Sequence, residues 1–335
     1  MSAAWDHGER PPVTAATLPA GKHRSYVNEG GRGEDVMPRV ILLGLDGFPA
    51  RAVSPDFTPN LWALAAEGGR AAEGGLSPLP SSTYPGFGCL LTGVEPIRHH
   101  VLTTTQQEGA VPGWAGAEAL KFPTLFERCS AAGLETAAVL GDNDLYHVLR
   151  AEAAGQSWPP AGKLAPGTKL DGHGYPVNHE VRPHLLAAVG DTLFAFVFGH
   201  VNEADTLGHD LGPDHADTMR CYRETDSILG EVAAALAPQW SETLLIVVSD
   251  HDMEPRSVNP PIDLGATPDL AELLLDSVLD GGAAWVLCRP GTGPRVAELM
   301  GRNAGIGHTR PDGDRVLLVA RPGWRFAPVR SASGY

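Results

Sequence analysis

Continuous apolar runs of five or six residues alternate with helical patterns along most of this chain. Val40-Ile41-Leu42-Leu43-Gly44-Leu45 is one such run, and Leu244-Leu245-Ile246-Val247-Val248 is another. Strands that are apolar on both faces are typical of parallel sheets that helices cover on each side. The sequence therefore predicts an α/β fold with a mostly parallel central sheet and helices on both faces.

The segment boundaries follow from these runs together with Pro and Gly at their ends. The predicted strands are residues 40–45, 135–140, 193–198, 244–248, 283–287 and 315–320. The predicted helices are residues 58–67, the segment that begins near Thr83, and residues 123–132, 177–189, 214–236, 268–279 and 293–300. The Gly- and Pro-rich passage 155–175 is predicted to be loop.

One α/β domain, residues 39–326, is expected between two polar ends. Residues 1–38 are rich in Gly, Pro and charge and lack the apolar core of a signal peptide or membrane anchor, so they are predicted to be a flexible lead-in. Residues 327–335 are predicted to be a C-terminal tail. The four cysteines lack C-x-x-C spacing, which predicts free thiols in a reducing compartment. Together with the polar first 38 residues, this predicts a cytoplasmic protein that is not bound to a membrane.

The formal net charge of -15 restricts the partners of this chain. No run of Lys and Arg supplies the positive surface that a nucleic-acid polymer requires, so such a partner is excluded. A small anionic substrate remains open if metal ions reverse the charge locally.

Acidic and histidine residues follow three of the predicted strands. Asp46 comes after the first, Asp205 and His209 come after strand 193–198, and Asp250 with His251 follows strand 244–248. Each of them alone is also explained as a helix cap, a turn former or a hydrogen-bonded side chain. Because the carboxyl ends of parallel strands share one edge of a sheet, the five together favour a site for zinc or a similar divalent ion.

Hydroxyl residues stand directly before a predicted helix in Ser81-Ser82-Thr83-Tyr84-Pro85. Ser and Thr at this position usually cap the helix. The same position faces unpaired backbone N–H groups, which can hold a phosphate group. Thr83 is therefore either a cap or a nucleophile on the evidence of this stretch alone.

Several ordered motifs carry a resemblance to a known family. Leu43-Gly44-Leu45-Asp46-Gly47-Phe48, Thr58-Pro59-Asn60-Leu61 and Thr83-Tyr84-Pro85 resemble the alkaline phosphatase superfamily, and within it the type I phosphodiesterase and nucleotide pyrophosphatase family. The segment from Asn202 to His209 with Gly212-Pro213 is similar to the E-x-D-x-x-G-H…G-P segment of that family, and Ser249-Asp250-His251 is similar to its S-D-H segment. The resemblance implies an alkaline phosphatase-like catalytic domain.

The resemblance also implies two divalent metal ions, zinc or alternatively manganese. The residues that it assigns to the first ion are Asp46, Thr83, Asp250 and His251. The second ion is assigned to Asp205, His209 and His308, the last being the only histidine after His251. Thr83 becomes the nucleophile, which an ion activates and which carries a covalent intermediate.

Two departures from the family pattern concern the substrate. The family motif T-F-P-N-H reads Thr83-Tyr84-Pro85-Gly86-Phe87 here, and the family asparagine that donates to a phosphoryl oxygen aligns with Thr104. Either the Thr104 hydroxyl serves as that donor with a shorter reach, or the site serves a different pattern of substrate oxygens. Tyr84 and Phe87 are expected to stack on a base or aryl group of the substrate.

The sequence thus predicts a metal-dependent phosphodiesterase or nucleotide pyrophosphatase that acts on a small phosphate ester or nucleotide-like substrate. A phosphomonoesterase and a phosphonoacetate-type C–P hydrolase use nearly the same residues and remain alternatives, as does a non-catalytic metal-binding relative. A sulfatase is disfavoured because no C-x-P-x-R motif stands at the nucleophile. The substrate, the native metal and the oligomeric state stay open.

Overall fold

A computed structural model describes residues 39–72, 74–104, 120–255, 259–266 and 268–327. Five parallel strands of these residues form the central sheet, in the order β3-β2-β4-β1-β5. These strands are β1 (Arg39–Leu45), β2 (Thr136–Val139), β3 (Gln156–Trp158), β4 (Phe196–Val201) and β5 (Thr243–Val248). The parallel pairing agrees with the continuous apolar runs in the sequence.

The helices begin and end at residues with recognisable local roles. Pro59 occupies the first turn of α1, a capping box of Thr124 and Glu127 begins α4, and Gly93 with φ +70° ends α2. The α-helices are α1 (Pro59–Glu67), α2 (Thr83–Thr92), α3 (Pro96–His99), α4 (Leu125–Ala131), α5 (Leu145–Val148), α6 (Asn178–Gly190), α7 (Glu203–Leu211), α8 (Ala216–Leu236), α9 (Pro268–Ala271) and α10 (Gly293–Gly301).

Alternate residues of the central strands supply two separate cores. Ile41 and Leu43 of β1 belong to a core that also contains side chains of α6 and α8. Leu42 belongs to a second core that contains Phe87 of α2 and Phe126 of α4. Because successive side chains of a strand point to opposite faces, helices cover both faces of the sheet, as predicted.

A second sheet follows the central one in the chain. It is antiparallel, in the order β6-β7-β9-β8, with β6 (Leu274–Asp280), β7 (Ala283–Cys288), β8 (Ile306–Asp312) and β9 (Arg315–Ala320). Two short hairpins build it. Gly281 with φ +58° turns β6 into β7, and Gly313 with φ +62° turns β8 into β9. Gly accepts this left-handed conformation without the steric cost of a side chain.

The predicted helix at residues 268–279 is wrong beyond its first turn. The helix α9 ends at Ala271, and the following apolar residues form β6. Their spacing suits either structure, and the antiparallel partner β7 decides for the strand. The predicted strands 283–287 and 315–320 are present, but they belong to this second sheet and not to the parallel one.

The predicted loop 155–175 also contains a strand. Residues Gln156–Trp158 pair with β2 and form the edge of the parallel sheet as β3. The Trp158 ring stacks on His184 of α6 with 4.4 Å between the ring centroids. A strand of three residues has too little periodicity to be recognised among Gly and Pro.

The predicted lead-in, residues 1–38, and all of the predicted tail except Ala327 lie outside the described residues. Within the described part of the chain, no helix has the length and apolar composition that a membrane crossing needs. All four cysteines are described, and their thiols are free, as predicted.

Candidate active site

The central strands bring the predicted site residues to one edge of the parallel sheet. Leu45, at the end of β1, pairs with Val201 of β4, and Gly44 pairs with Val248 of β5. The polar residues that follow these strand ends therefore meet. They are Asp46 after β1, Asp205 in the first turn of α7 after β4, and Asp250 with His251 after β5.

Four of the predicted ligands form one cluster. Ligand atoms of Asp46, Asp250 and His251 all lie within 4.8 Å of one another. His251 Nε2 lies 3.5 Å from Asp46 Oδ1 and 3.3 Å from Asp250 Oδ2. The Thr83 hydroxyl completes the cluster, 3.3 Å from His251 Nε2 and 3.5 Å from Asp46 Oδ1.

Thr83 is the first residue of α2 and is nearly buried. Ser82, the N-cap residue, makes no side-chain hydrogen bond to the helix. Its hydroxyl donates to Asp280 Oδ2 at 2.7 Å and accepts from the Thr104 hydroxyl at 3.2 Å, while the Tyr84 N–H donates to Thr104 Oγ1 at 3.4 Å. A helix start of this kind favours an anion beside the Thr83 hydroxyl.

Asp205 and His209 form a second cluster on α7. They are four residues apart and share one helix face, with His209 Nε2 at 3.5 Å from Asp205 Oδ2. Asp205 Oδ1 lies 3.9 Å from His251 Nε2, so the two clusters adjoin. The structure does not bring His308 to this cluster. Its side chain is exposed on β8, an edge strand of the second sheet.

The buried site carries an excess of carboxylates. Burial raises the pKa of Asp46 well above its usual value, and the nearby Asp250 and Asp205 add to the shift. Burial raises the pKa of Asp250 to about 6 and also raises that of Asp205, although His251 opposes both shifts. Burial disfavours the charge on His251, but Asp250 and Asp205 outweigh it and raise its pKa. A cation at this place would relieve the repulsion among the carboxylates.

The donor atoms fit a divalent cation. Within the described residues, the buried atoms Asp205 Oδ1 and Asp250 Oδ2 accept no hydrogen bond. His251 Nδ1 lies 3.2 Å from the carbonyl oxygen of Asp252, so a neutral ring donates there and presents the lone pair of Nε2 to the cluster. The Nε2 lone pair and the carboxylate oxygens repel one another unless a cation lies between them. The combination of one imidazole nitrogen with carboxylate oxygens suits zinc.

His200 is a site residue that the motifs did not reveal. It is fully buried in β4, and burial lowers its pKa to about 3, so the ring is neutral. Nδ1 accepts the N–H of Asp142 at 3.2 Å, which leaves Nε2–H to donate to Asp46 Oδ2 at 3.0 Å. The one available signal was a lone histidine within the apolar run of β4.

Asp280 is a second unpredicted residue beside the site. It ends β6, and its Oδ2 accepts hydrogen bonds from the Ser82 hydroxyl at 2.7 Å and the Thr104 amide at 2.9 Å. It therefore connects the second sheet to the start of α2. The interpretation of residues 268–279 as a helix concealed this role.

The residues predicted to bind substrate have different environments. Thr104 lies beside the start of α2, where its hydroxyl donates to Ser82 Oγ at 3.2 Å. Phe87 is fully buried and packs edge-on against Phe198 and His200, and Tyr84 is 2% exposed in the same core. Stacking of a substrate on Tyr84 or Phe87 was therefore the wrong prediction, because α2 turns both rings toward the sheet.

A cavity of about 380 Å³ opens beside Thr83. Its lining combines the second cluster with groups from the ends of β2 and β4 and from the loop before α6. The lining residues are Thr83, Thr104, Asp142, His173, Tyr175, Asn202, Asp205 and His209. Asp142 follows the end of β2, and burial raises its pKa to about 7.

Comparison with known proteins agrees with this geometry. The family model of type I phosphodiesterases and nucleotide pyrophosphatases matches residues 40–318. The chain belongs to this family. The match confirms the resemblance seen in the motifs, and it extends beyond His251 into the second sheet.

Two curated members of the family cover most of this chain. An uncharacterized pyrophosphatase/phosphodiesterase of Schizosaccharomyces pombe is 25% identical over 256 residues, which are 66% of this chain and 46% of that protein. Bis(5'-adenosyl)-triphosphatase enpp4 of Mus musculus is 23% identical over 258 residues, which are 72% of this chain and 53% of that protein. The chain spans about half the length of these relatives.

Solved structures of the family confirm the predicted fold. Murine ectonucleotide pyrophosphatase/phosphodiesterase 5 aligns with a TM-score of 0.64 at 18% identity, over 88% of this chain and 82% of that chain. An inactive form of the murine protein in complex with AMP aligns equally well. The human protein of the same name aligns with a TM-score of 0.62 at 16% identity, over 87% of this chain and 80% of that chain.

Proposed function

We propose that this protein is a metal-dependent hydrolase that cleaves a phosphodiester or pyrophosphate bond in a small, nucleotide-like substrate. One observation carries the proposal. The Thr83 hydroxyl stands at the start of α2, within 3.5 Å of both His251 Nε2 and Asp46 Oδ1. A helix start that can hold a phosphoryl group thus coincides with a group of metal-ligand side chains.

Two divalent cations are part of the proposal, zinc or alternatively manganese. Asp46, Thr83, Asp250 and His251 would hold the first, and Asp205 with His209 would contribute to the second. When bound, such cations lower the pKa of a coordinated hydroxyl or water and neutralise charge on the phosphoryl oxygens. The unpartnered buried oxygens of Asp205 and Asp250 support this assignment.

The chain's own groups supply the remaining steps. Thr83 Oγ attacks phosphorus and forms a new P–O bond while the bond to the leaving oxygen breaks. The N–H groups at the start of α2 donate to the phosphoryl oxygens, and the Thr104 hydroxyl donates to them once it turns away from its acceptor Ser82 Oγ. Water then hydrolyses the nucleotidyl-threonine diester at the P–O bond to Thr83, which releases the phosphate monoester and restores the Thr83 hydroxyl.

The nucleotide-like substrate is supported by the relatives and by the cavity. One relative is named as a bis(5'-adenosyl)-triphosphatase, and one structural neighbour was solved with AMP. The cavity beside Thr83 has about 380 Å³, which suits a small molecule. The cytoplasmic location is part of the proposal as well, and the four free cysteines support it.

Hydrolysis of bis-p-nitrophenyl phosphate beside p-nitrophenyl phosphate tests the function. Zinc-loaded, manganese-loaded and chelated protein are compared with Thr83→Ala and with Thr92→Ala, which removes a hydroxyl from the far end of α2. We expect diester cleavage that requires metal, falls at least about 1,000-fold in Thr83→Ala and persists in Thr92→Ala. Full activity of Thr83→Ala, or preference for the monoester, would contradict the proposal.

A further inference from the structure

One carboxylate oxygen at the end of β6 joins two separate segments of the chain beside α2. Asp280 Oδ2 accepts the hydroxyl hydrogen of Ser82 at 2.7 Å and the backbone N–H of Thr104 at 2.9 Å. The Thr104 hydroxyl donates to Ser82 Oγ at 3.2 Å. The three residues therefore form a closed triangle of hydrogen bonds next to the start of the helix.

The triangle places the Thr104 hydroxyl where a phosphoryl group is expected. Thr104 and the proposed nucleophile Thr83 both line the cavity. The backbone N–H of Tyr84, the residue after Thr83 on α2, lies 3.4 Å from Thr104 Oγ1. The hydroxyl is thus next to the N–H groups that can hold phosphoryl oxygens. Rotation about its C–O bond turns its hydrogen from Ser82 Oγ to such an oxygen.

The segment that carries Thr104 rests on the hairpin of β6 and β7. Leu102 is fully buried and packs in one apolar cluster with Val278 of β6 and Trp285 of β7. The segment around Leu102 and Thr104 forms neither helix nor strand, so no regular backbone pairing fixes its end. The position of Thr104 therefore depends on this packing and on the hydrogen bond from its N–H to Asp280.

We infer that Asp280 is a positioning residue, which holds Thr104 where its hydroxyl can donate a hydrogen bond to a phosphoryl oxygen. The inference rests on the proposed function, which places that oxygen at the start of α2. A threonine hydroxyl is close to its own backbone, so the placement of the backbone decides which atoms it reaches. A small misplacement of such a donor has a large effect on the rate of the reaction.

A double-mutant cycle tests whether Asp280 acts through Thr104. The zinc-loaded variants are Asp280→Ala, Thr104→Val and the combination of both. We expect kcat/KM for bis-p-nitrophenyl phosphate to fall at least about 10-fold in each single variant, because the donor is misplaced or missing. In the Thr104→Val background, Asp280→Ala should lower it by less than about twofold more. An equal loss in both backgrounds would overturn the inference.

Two further variants separate this role from a general loss of structure. Asp280→Asn keeps an oxygen that can accept both hydrogen bonds, and it should retain at least about a third of the activity. Asp276→Ala removes another carboxylate of β6, which accepts the N–H of Ser277, and it should leave the activity unchanged. Amide hydrogen exchange at Thr104 should be faster in Asp280→Ala and unchanged in Asp280→Asn. Equal activity of Asp280→Ala and Asp280→Asn would also contradict the inference.

Binding of orthovanadate gives a measurement that does not require turnover. Calorimetric titration of the zinc-loaded proteins should show at least about 10-fold weaker binding in Asp280→Ala and in Thr104→Val, with little further loss in the combined variant. Bound zinc is counted by mass spectrometry and should be equal in all of them. Equal vanadate affinity in the wild type and Asp280→Ala, or no binding to the wild type, would overturn the inference.

The two proposals fail in different ways. If the diester is cleaved equally well by the wild type and Asp280→Ala, the reaction stands and the positioning role is wrong. If neither ester is cleaved but vanadate binding depends on Asp280 through Thr104, the positioning role stands and the proposed reaction is wrong.

Discussion

Gly86 explains a departure from the family motif at the level of a single residue. A Cβ atom at this position would lie 2.9 Å from the Cβ atom of Asp250. Real Cβ contacts are longer, so α2 can approach Asp250, a proposed metal ligand, this closely only with Gly. The asparagine of the family motif T-F-P-N-H would not fit here without a shift of Asp250.

His200 orients Asp46, a proposed metal ligand, and is not among the residues that line the cavity. Its Nε2–H donates to Asp46 Oδ2, a carboxylate that lies near the buried acidic groups Asp250 and Asp205. Groups that orient a ligand in this manner typically contribute a factor of about 10 to 100 in metal affinity.

We expect His200→Leu to weaken zinc binding by about 10- to 100-fold, because Asp46 loses its donor. The pKa of about 3 keeps His200 neutral in the physiological range, so the loss should be the same at about pH 6 and about pH 8. Calorimetric titration with zinc measures it. Phe198→Leu, two residues earlier on β4, is the matched control. Equal zinc affinity in the two variants would refute the role of His200.

The hairpin of β6 and β7 matters to the site at the level of elements. It delivers Asp280 to the start of α2, where one carboxylate oxygen binds both Ser82 and Thr104. The two glycines that follow Asp280 differ. Gly281 has φ +58°, whereas Gly282 does not have a positive φ. At both positions, an added Cβ atom would have no other atom within 4 Å.

Gly281→Ala is expected to lower the free energy of unfolding by about 1 kcal/mol, because Ala is strained at positive φ. Gly282→Ala should change it by less than about 0.5 kcal/mol in either direction. Urea denaturation of both variants checks the difference. Equal effects of the two substitutions would contradict the assigned turn.

The same element shows where sequence patterns stop being informative. Asp280-Gly281-Gly282-Ala283 is a recognisable hairpin signal, yet the apolar spacing of residues 268–279 also matches a helix. In such a segment, the local preferences for helix and for strand are nearly equal. Pairing with β7, which is a tertiary contact, decides for the strand.

At the scale of the whole molecule, the net charge of -15 and the buried carboxylates of the site act in the same direction. Both make the metal-free protein less stable once its acidic groups ionise. A divalent cation bound at the site would offset the repulsion among the buried carboxylates, and its binding free energy would add to the stability of the fold.

The stabilisation by zinc is expected to grow as pH rises. The pKa of Asp250 is raised from 3.8 to about 6, so the folded metal-free protein binds more protons than the unfolded chain in that interval, and this contribution to stability is lost as pH rises through it. The raised pKa of His251 continues the loss above its ordinary value of 6.5. Zinc bound by the proposed ligands would take the place of these protons.

Thermal unfolding with and without zinc, from about pH 5 to about pH 8, measures this dependence. The increase in Tm on addition of zinc should be larger at each higher pH. The double variant Asp46→Asn/Asp250→Asn is the control and should show little increase at any pH. An increase in Tm that does not depend on pH would contradict the proposed ligands.

Much of the fold and the first half of the site could be predicted because their signals are local. The apolar run of β1 ends at Asp46, and that of β5 ends shortly before Asp250 and His251. A parallel sheet has one carboxyl edge, so these residues had to meet once the strands were recognised. The i, i+4 spacing of Asp205 and His209 likewise lies within a single helix.

The tertiary structure decided which distant groups join that edge and which side chains face the core. The chain order favoured His308, but it is exposed on β8, an edge strand of the second sheet, whereas a turn anchored to α7 brings His173 to the cavity. Phe87 follows Thr83 on the same helix and is nevertheless buried beneath it. A sequence pattern specifies the face of one element, whereas proximity between elements depends on how the whole chain packs.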